Sequence, residues 1–94
     1  MKVKEWAKGF SYIFYCPGCK EKHMFWLKEG EMHASWQWNW NYKKPTVTPS
    51  IVIDVPEKRC HLNITSGQII FHADCWHELA GQAVEMEEIE KHIT

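Results

Sequence analysis

The sequence contains no apolar run that approaches the length of a membrane span. A transmembrane helix needs roughly 20 predominantly apolar residues, and polar residues interrupt every apolar stretch well before that length. The first residues, MKVKEWAKGF, lack the apolar core of a signal peptide. We therefore expect a cytoplasmic protein. In that reducing compartment, the four cysteines favour a metal site over disulfide bonds.

An excess of one charge is also missing. The formal net charge is -1, whereas dedicated nucleic-acid-binding domains carry a strong basic excess. The chain has neither a P-loop nor a GxGxxG motif. His77-Glu78 begins like the metalloprotease motif HExxH, but Gly81 stands where the second histidine should be. These absences argue against a nucleic-acid binder and leave no evident catalytic zinc.

What is present is a series of short segments rich in aromatic and β-branched residues. The 94 residues, 45% of them hydrophobic, suffice for one small domain, and domains of this size are often helped by a metal. Strands are predicted for FSYIFYC and KHMFWL around the turn CPGC, for SWQWNWN and IVIDV, and for CHLNI and QIIFHADC around Ser66-Gly67. KKPTVTPS predicts a loop and AVEMEEIEKHI a short C-terminal helix. We predict a β-rich small domain of zinc-ribbon-like antiparallel hairpins, forming one zinc-stabilised domain over residues 1–94.

The cysteines indicate a structural zinc site. Cys16 and Cys19 are separated by Pro17-Gly18, the spacing of a zinc knuckle. Redox motifs share this spacing but normally open a helix, whereas KEKHMFWL after Cys19 predicts a strand. Centring the second hairpin on Ser66-Gly67 pairs Leu62 with Phe71 and Ile64 with Ile69, and it brings Cys60 diagonal to Cys75. The predicted ligands are Cys16, Cys19, Cys60 and Cys75. His23, His61 and His77 remain possible replacements, and Cys60 and Cys75 could instead be small buried residues.

The opposite face of the same hairpin carries a possible catalytic group. The register places His61 and Asp74 there, and an imidazole oriented by a carboxylate is part of a hydrolytic triad. Ser50, at the end of the proline-rich PTVTPS loop, is the candidate nucleophile. Backbone N–H groups of that loop, or Asn39, could stabilise an oxyanion. The alternative is that Ser50 is a turn residue and that the His–Asp pair serves structure.

Three tryptophans alternate in SWQWNWN. Trp36, Trp38 and Trp40 would share one face of a strand. Such a face usually belongs to the core, but it could also stack bases or line a peptide groove. We expect the core assignment.

Taken together, these motifs resemble a known family. The order is CPGC, WQWNW, PTVTPS, a Cys-His pair, and SGQIIFHADCWHELAGQ. This resembles a small zinc-ribbon-like family of unknown function found in phage and prophage genomes, with relatives beside bacterial ubiquitin-like conjugation genes. The resemblance covers roughly residues 12 to 84. It includes Ser50, His61 and Asp74 as well as the four cysteines, which is more than a zinc-folded scaffold requires. Relatives beside ubiquitin-like genes imply a peptidase that trims or releases a ubiquitin-like tail.

Two functions from different classes follow. The first is a zinc-stabilised small hydrolase, peptidase-like, which uses Ser50, His61 and Asp74 on a protein or peptide substrate, with ubiquitin-like tails as the candidate. The second is a non-enzymatic phage-type zinc-ribbon module that binds a protein through the aromatic strand and the acidic tail. Nucleic-acid binding is disfavoured by the charge.

Overall fold

The computed structural model describes residues 1–8, 10–27 and 36–92, which form two antiparallel sheets. The first sheet has the order β1-β2-β3 and the second the order β4-β5-β6-β7-β8. In the described ranges, no helix is long and apolar enough to cross a membrane. The strands are β1 (Val3–Ala7), β2 (Ser11–Cys16), β3 (Glu21–Trp26), β4 (Gln37–Trp38), β5 (Val47–Val55), β6 (Lys58–Thr65), β7 (Gln68–Phe71) and β8 (Ala83–Glu85).

Alternation along the strands divides the core from the outer faces. Successive side chains of a strand point to opposite sides of the sheet, and the burial of β6 follows this rule from Arg59 to Thr65. Cys60, Leu62 and Ile64 are buried, while the residues between them are only half-buried. Residues from both sheets contribute to one apolar cluster, which includes Tyr12, Phe14, Phe25, Ile51, Leu62, Ile64, Ile69 and Phe71.

The hairpin that carries most of the candidate residues has the predicted register. Leu62 pairs with Phe71 and Ile64 with Ile69. The turn residues Ser66 and Gly67 both have positive φ, at 48° and 81°, as a tight two-residue hairpin turn requires. The prediction of this hairpin is therefore confirmed. Its second strand, however, ends at Phe71 rather than at Cys75, and residues 72–82 form turns.

The tail is not the predicted helix. Residues 83–85 form β8, which pairs with β7 and places Val84 opposite Ile69. Met86 continues the attachment, since its N–H donates to the carbonyl oxygen of Gly67 at 3.0 Å. In the described part of the tail, the one helical element is the 3-10 turn Ile89–His92. The open edge of β7 needs hydrogen-bond partners, and that demand outweighs the helix propensity of the acidic tail.

Two other segments differ from the predictions. The SWQWNWN segment forms only the two-residue strand β4, and Trp40 has a φ of 61° that ends the extended conformation. Ser35 lies outside the described residues, and so does Ile93 of the predicted tail helix. The predicted loop KKPTVTPS is a loop only in its first half, since residues 47–50 already belong to β5.

Candidate functional site

A bulge in β5 determines the position of Ser50. Val47 pairs with Ile64 and Ile51 pairs with Leu62, so three residues of β5 stand opposite the single residue Asn63. Bulges of this kind bend a strand and redirect its side chains. The bulge carries Ser50 onto the half-buried outer face of the sheet, beside His61 of the neighbouring strand.

Ser50, His61 and Asp74 meet on this face. The Oγ atom of Ser50 lies 3.1 Å from Nε2 of His61. The Nδ1 atom of His61 lies 3.4 Å from Oδ1 of Asp74. An ionised carboxylate can only accept, so Nδ1 carries the proton and Nε2 is free to accept from the serine hydroxyl. The structure thus brings together the three residues that the sequence indicated. The His–Asp contact is longer than a strong charge-assisted hydrogen bond.

Arg59 holds Asp74 in place. Its Nε donates to Oδ2 of Asp74 at 2.8 Å, while a terminal nitrogen lies 3.3 Å from Oδ2 of Asp54. The Arg59 guanidinium keeps the pKa of the Asp74 carboxyl below its ordinary value. Asp74 therefore remains ionised at neutral pH and can orient His61. Arg59 was missing from the sequence prediction, although it lies two residues before His61 and so on the same face of β6.

His72 and Asn63 support the His61 ring from its other side. The two imidazoles of His61 and His72 are stacked, with centroids 3.7 Å apart and planes 5° from parallel. Nε2 of His72 lies 2.6 Å from Oδ1 of Asn63, and an amide oxygen only accepts, so Nε2 of His72 donates. Asn63 was also missed, although alternation along β6 places it with Arg59 and His61.

Cys75 contacts the backbone of His61. The N–H of His61 donates to its Sγ at 3.3 Å, and the thiol donates to the carbonyl oxygen of His61 at 3.2 Å. Both hydrogen bonds fasten the strand at the residue whose side chain faces Ser50. The structure therefore gives Cys75 a different position from the predicted one among the zinc ligands.

The other three cysteines form a candidate metal centre with His77. Their ligand atoms and one imidazole nitrogen all lie within 4.8 Å of one another. Sγ of Cys16 is 4.0 Å from Sγ of Cys60, and Nε2 of His77 is 3.5 Å from the latter. In a tetrahedral zinc site, Zn–S bonds of about 2.3 Å put the sulfurs roughly 3.8 Å apart. The cysteines are free, so Cys16, Cys19, Cys60 and His77 are compatible with zinc.

Electrostatics in this group favours a thiolate. A hydrogen bond from the Cys60 thiol lowers the pKa of Cys16, and the same bond raises the pKa of Cys60. The backbone N–H of Cys19 also points at Sγ of Cys16, at 3.4 Å. The indole N–H of Trp76 donates to Sγ of Cys19 at 3.3 Å, but burial outweighs it and raises the pKa of the Cys19 thiol. Such N–H contacts to sulfur stabilise the charged form that binds a metal.

The two other histidines considered as ligands have different surroundings. His23 is buried and forms a second group of possible ligands with Cys19 and Glu21. That group has three members, and it shares Cys19 with the four-membered group. His61 directs Nε2 to Ser50 and Nδ1 to Asp74. Among the described residues, the set with four donors is therefore the one that includes His77.

Gly18 provides a test of the His77 position. A Cβ atom at residue 18 would collide with the imidazole ring of His77. We expect Gly18→Ala to push the ring away, to weaken zinc binding at least 10-fold and to lower the free energy of unfolding by about 1–3 kcal/mol. Metal content after competition with a chelator and an unfolding midpoint measure both effects.

The matched control is Gly81→Asn. Gly81 has a φ of 78° with nothing within 4 Å of the added Cβ, and asparagine tolerates that conformation. The control should retain its metal. Equal metal content in the two variants would show that His77 does not need the space above Gly18.

The tryptophans have separate roles, and the Asn39 side chain forms hydrogen bonds with the backbone. Trp38 is buried in the core, as expected, whereas Trp40 is 60% exposed. The indole N–H of Trp36 donates to the carbonyl oxygen of Ser50 at 3.3 Å. Among the described residues, the side chain of Asn39 accepts from the backbone N–H groups of Asn41 and Thr46 and donates to the carbonyl oxygen of Lys44. Asn39 therefore holds the backbone of its own loop, and its suggested oxyanion role stays a prediction.

Comparison with known families bears on this arrangement. A family model described as the bacterial ubiquitination-like system serine protease (BubE) matches residues 2–72. The chain belongs to this family. The BubE match includes Ser50 and His61 and ends before Asp74 and His77. It agrees with the link to ubiquitin-like conjugation genes, while the phage and zinc-ribbon parts of the resemblance stay predictions. No curated protein and no solved structure matches the chain.

Proposed function

We propose that this protein is a zinc-stabilised serine peptidase that cleaves an extended tail of a ubiquitin-like protein. The observation that carries the proposal is the 3.1 Å contact between the Ser50 hydroxyl and Nε2 of His61. Membership in a family described as serine proteases of a ubiquitination-like system supports both the reaction and a protein substrate.

Each of the three residues would have one role in acyl transfer. Ser50 attacks the carbonyl carbon while Nε2 of His61 accepts the hydroxyl proton, and the same nitrogen then returns that proton to the leaving group. Asp74 keeps the proton of His61 on Nδ1 and stabilises the imidazolium that forms. A water molecule, activated in the same way, releases the acyl group. Backbone N–H groups beside Ser50 are the candidates for holding the oxyanion.

The zinc would be structural and remote from the reacting bond. Cys16, Cys19, Cys60 and His77 supply a closed set of four ligands, with no position left for a substrate. The ion would join the knuckle between β2 and β3 to β6, because Cys60 lies in β6. Cys60 directly precedes His61 in that strand. Zinc thereby stabilises a single domain over residues 1–94 of zinc-ribbon-like type, and it fixes the strand that carries the general base.

Fluorophosphonate labelling tests the proposed nucleophile. We expect one adduct per chain by intact mass on zinc-loaded protein, because His61 activates the Ser50 hydroxyl. Ser50→Ala should give no adduct. The matched control, Ser66→Asn, replaces an exposed serine at a turn and should label like the unchanged protein. The absence of any adduct on folded, zinc-loaded protein would contradict the peptidase proposal and favour the non-enzymatic zinc-ribbon interaction module.

A further inference from the structure

Next to Ser50, one side of β5 has no strand partner among the residues that the structure describes. On its first side, β5 pairs with β6 from Val47 to Val55, apart from the bulge at residues 48–50. On its second side, β4 covers only Val47 and Thr48. Among the described residues, no strand pairs with the second side of residues 50–55. An uncovered edge is a template for pairing with another chain.

The direction of the backbone groups on this edge follows from β6. The carbonyl oxygen of His61 accepts the N–H of His72 at 2.9 Å, so it points away from β5. In an antiparallel pair, facing residues direct their N–H and C=O groups either both toward each other or both away. Val52 is the partner of His61, so its N–H and C=O point to the open edge.

The direction of the backbone groups of Asp54, the next outward residue, follows from Arg59 in the same way. The carbonyl oxygen of Arg59 accepts the N–H of Trp76 at 2.9 Å, and the partner of Arg59 across the pair is Asp54. The backbone groups of Asp54 therefore also point to the open edge. Val52 and Asp54 together offer two donors and two acceptors at the spacing that a partner strand needs.

Ser50 lies at one end of this open stretch. Its carbonyl oxygen is directed outward too, where it accepts the indole N–H of Trp36. The Trp36 ring thus occupies the edge at Ser50. From there toward Asp54, the edge has no partner within residues 1–8, 10–27 and 36–92. A peptide on this edge would reach the serine hydroxyl at one end and meet the indole.

We propose that the edge of β5 at Val52 and Asp54 is the docking strand for the acyl side of the substrate, which binds as an extended antiparallel strand. This inference rests on the proposed peptidase function. An antiparallel chain runs from Asp54 toward Ser50, so its residues before the scissile bond pair with the edge and the reacting carbonyl arrives at Ser50. The substrate class is an unstructured tail, because a helix or a compact loop cannot pair with a strand edge.

A series of peptidyl diphenyl phosphonates tests the docking strand. Acetylated alanine peptides of one to four residues, ending in the phosphonate, form a bond from Ser50 Oγ to phosphorus and release phenol, which carries away the proton of the serine hydroxyl. We expect the labelling rate constant to rise at least about 10-fold from the shortest to the longest probe, because two backbone contacts are added. We also place a single N-methyl group on each amide of the longest probe in turn. Because only every second amide of an antiparallel strand faces the edge, the gain in rate should be lost at alternate positions and kept at the others.

Two variants check that the edge backbone causes the effect. Val52→Pro removes the outward N–H, and Val52→Ala keeps it while shortening the same side chain. Each rate is divided by the rate of the same variant with a simple fluorophosphonate. The gain with probe length should persist in Val52→Ala and disappear in Val52→Pro.

The outcomes separate the two proposals. Suppose that the fluorophosphonate labels Ser50 but the rates of the peptidyl phosphonates do not depend on their length, or that the N-methyl effect does not alternate. Either result would overturn the docking strand alone. No labelling by any of these probes would overturn the peptidase function, and the docking strand with it.

Discussion

Replacing His61 with glutamine will lower the rate constant of fluorophosphonate labelling by about 10³-fold or more. Among the residues that the structure describes, the imidazole Nε2 of His61 is the group that lies within hydrogen-bond reach of the Ser50 hydroxyl and can accept its proton. General base catalysis contributes typically about 10²–10⁴-fold, and a 10³-fold loss corresponds to about 4 kcal/mol of activation free energy. The measurement is the second-order labelling rate at pH 7.5, together with an unfolding midpoint.

His72→Gln is the matched control for His61→Gln. Both residues lie on the same face and their rings are stacked, but only His61 contacts Ser50. His72→Gln should slow labelling about 10-fold at most, since it removes a packing support and no proton acceptor. Comparable losses in the two variants would contradict the assignment of His61 as the base.

Removing the metal will abolish the cooperative unfolding transition at neutral pH. Structural zinc binds small domains with about 10–16 kcal/mol, which matches or exceeds the roughly 5–15 kcal/mol by which domains are stable. In the proposed site, the ion joins the cysteine knuckle of the first sheet to Cys60 in β6, so removal of the ion breaks this link. Circular dichroism during titration with a strong chelator, and after zinc is restored, measures the effect. A sharp thermal transition in the metal-free protein would contradict a structural role.

A pair of variants decides between the two candidate fourth ligands. Loss of a residue that only hydrogen-bonds to a metal ligand lowers metal affinity roughly 10–100-fold. His77→Ala removes a ligand itself, so its zinc affinity should fall by more than that. Cys75→Ser should retain one zinc per chain, because its Sγ contacts the backbone of His61 rather than the group of donors. Zinc content by mass spectrometry gives both values. Loss of zinc from Cys75→Ser alone would restore the four-cysteine site that the sequence predicted.

Local patterns in the sequence were sufficient for the central hairpin. The turn at Ser66-Gly67 and the alternation of Leu62 and Ile64 define a register in which a slip by one residue would expose the core face. That register also separates Cys60 from His61, one facing inward and the other outward. The knuckle at Cys16 and Cys19 is equally local, since its spacing alone suits one ion.

The tail shows where local patterns failed. Its acidic residues have good helix propensity, yet Val84 and Met86 also alternate in the manner of a strand. The open edge of β7 decides between the two, because its backbone groups need partners. No property of the tail by itself contains that information.

The sequence by itself determined the residue types at the candidate site, the faces of β6 and the pairing of β6 with β7, because these depend on alternation and on one tight turn. Only the tertiary structure decided which residues meet. The bulge in β5 brings Ser50 to His61, and residues 72–82 leave the sheet, which turns Cys75 to the backbone and His77 to the cysteines. Both outcomes depend on contacts between segments far apart in the chain, and on hydrogen-bond demands that no single segment reveals.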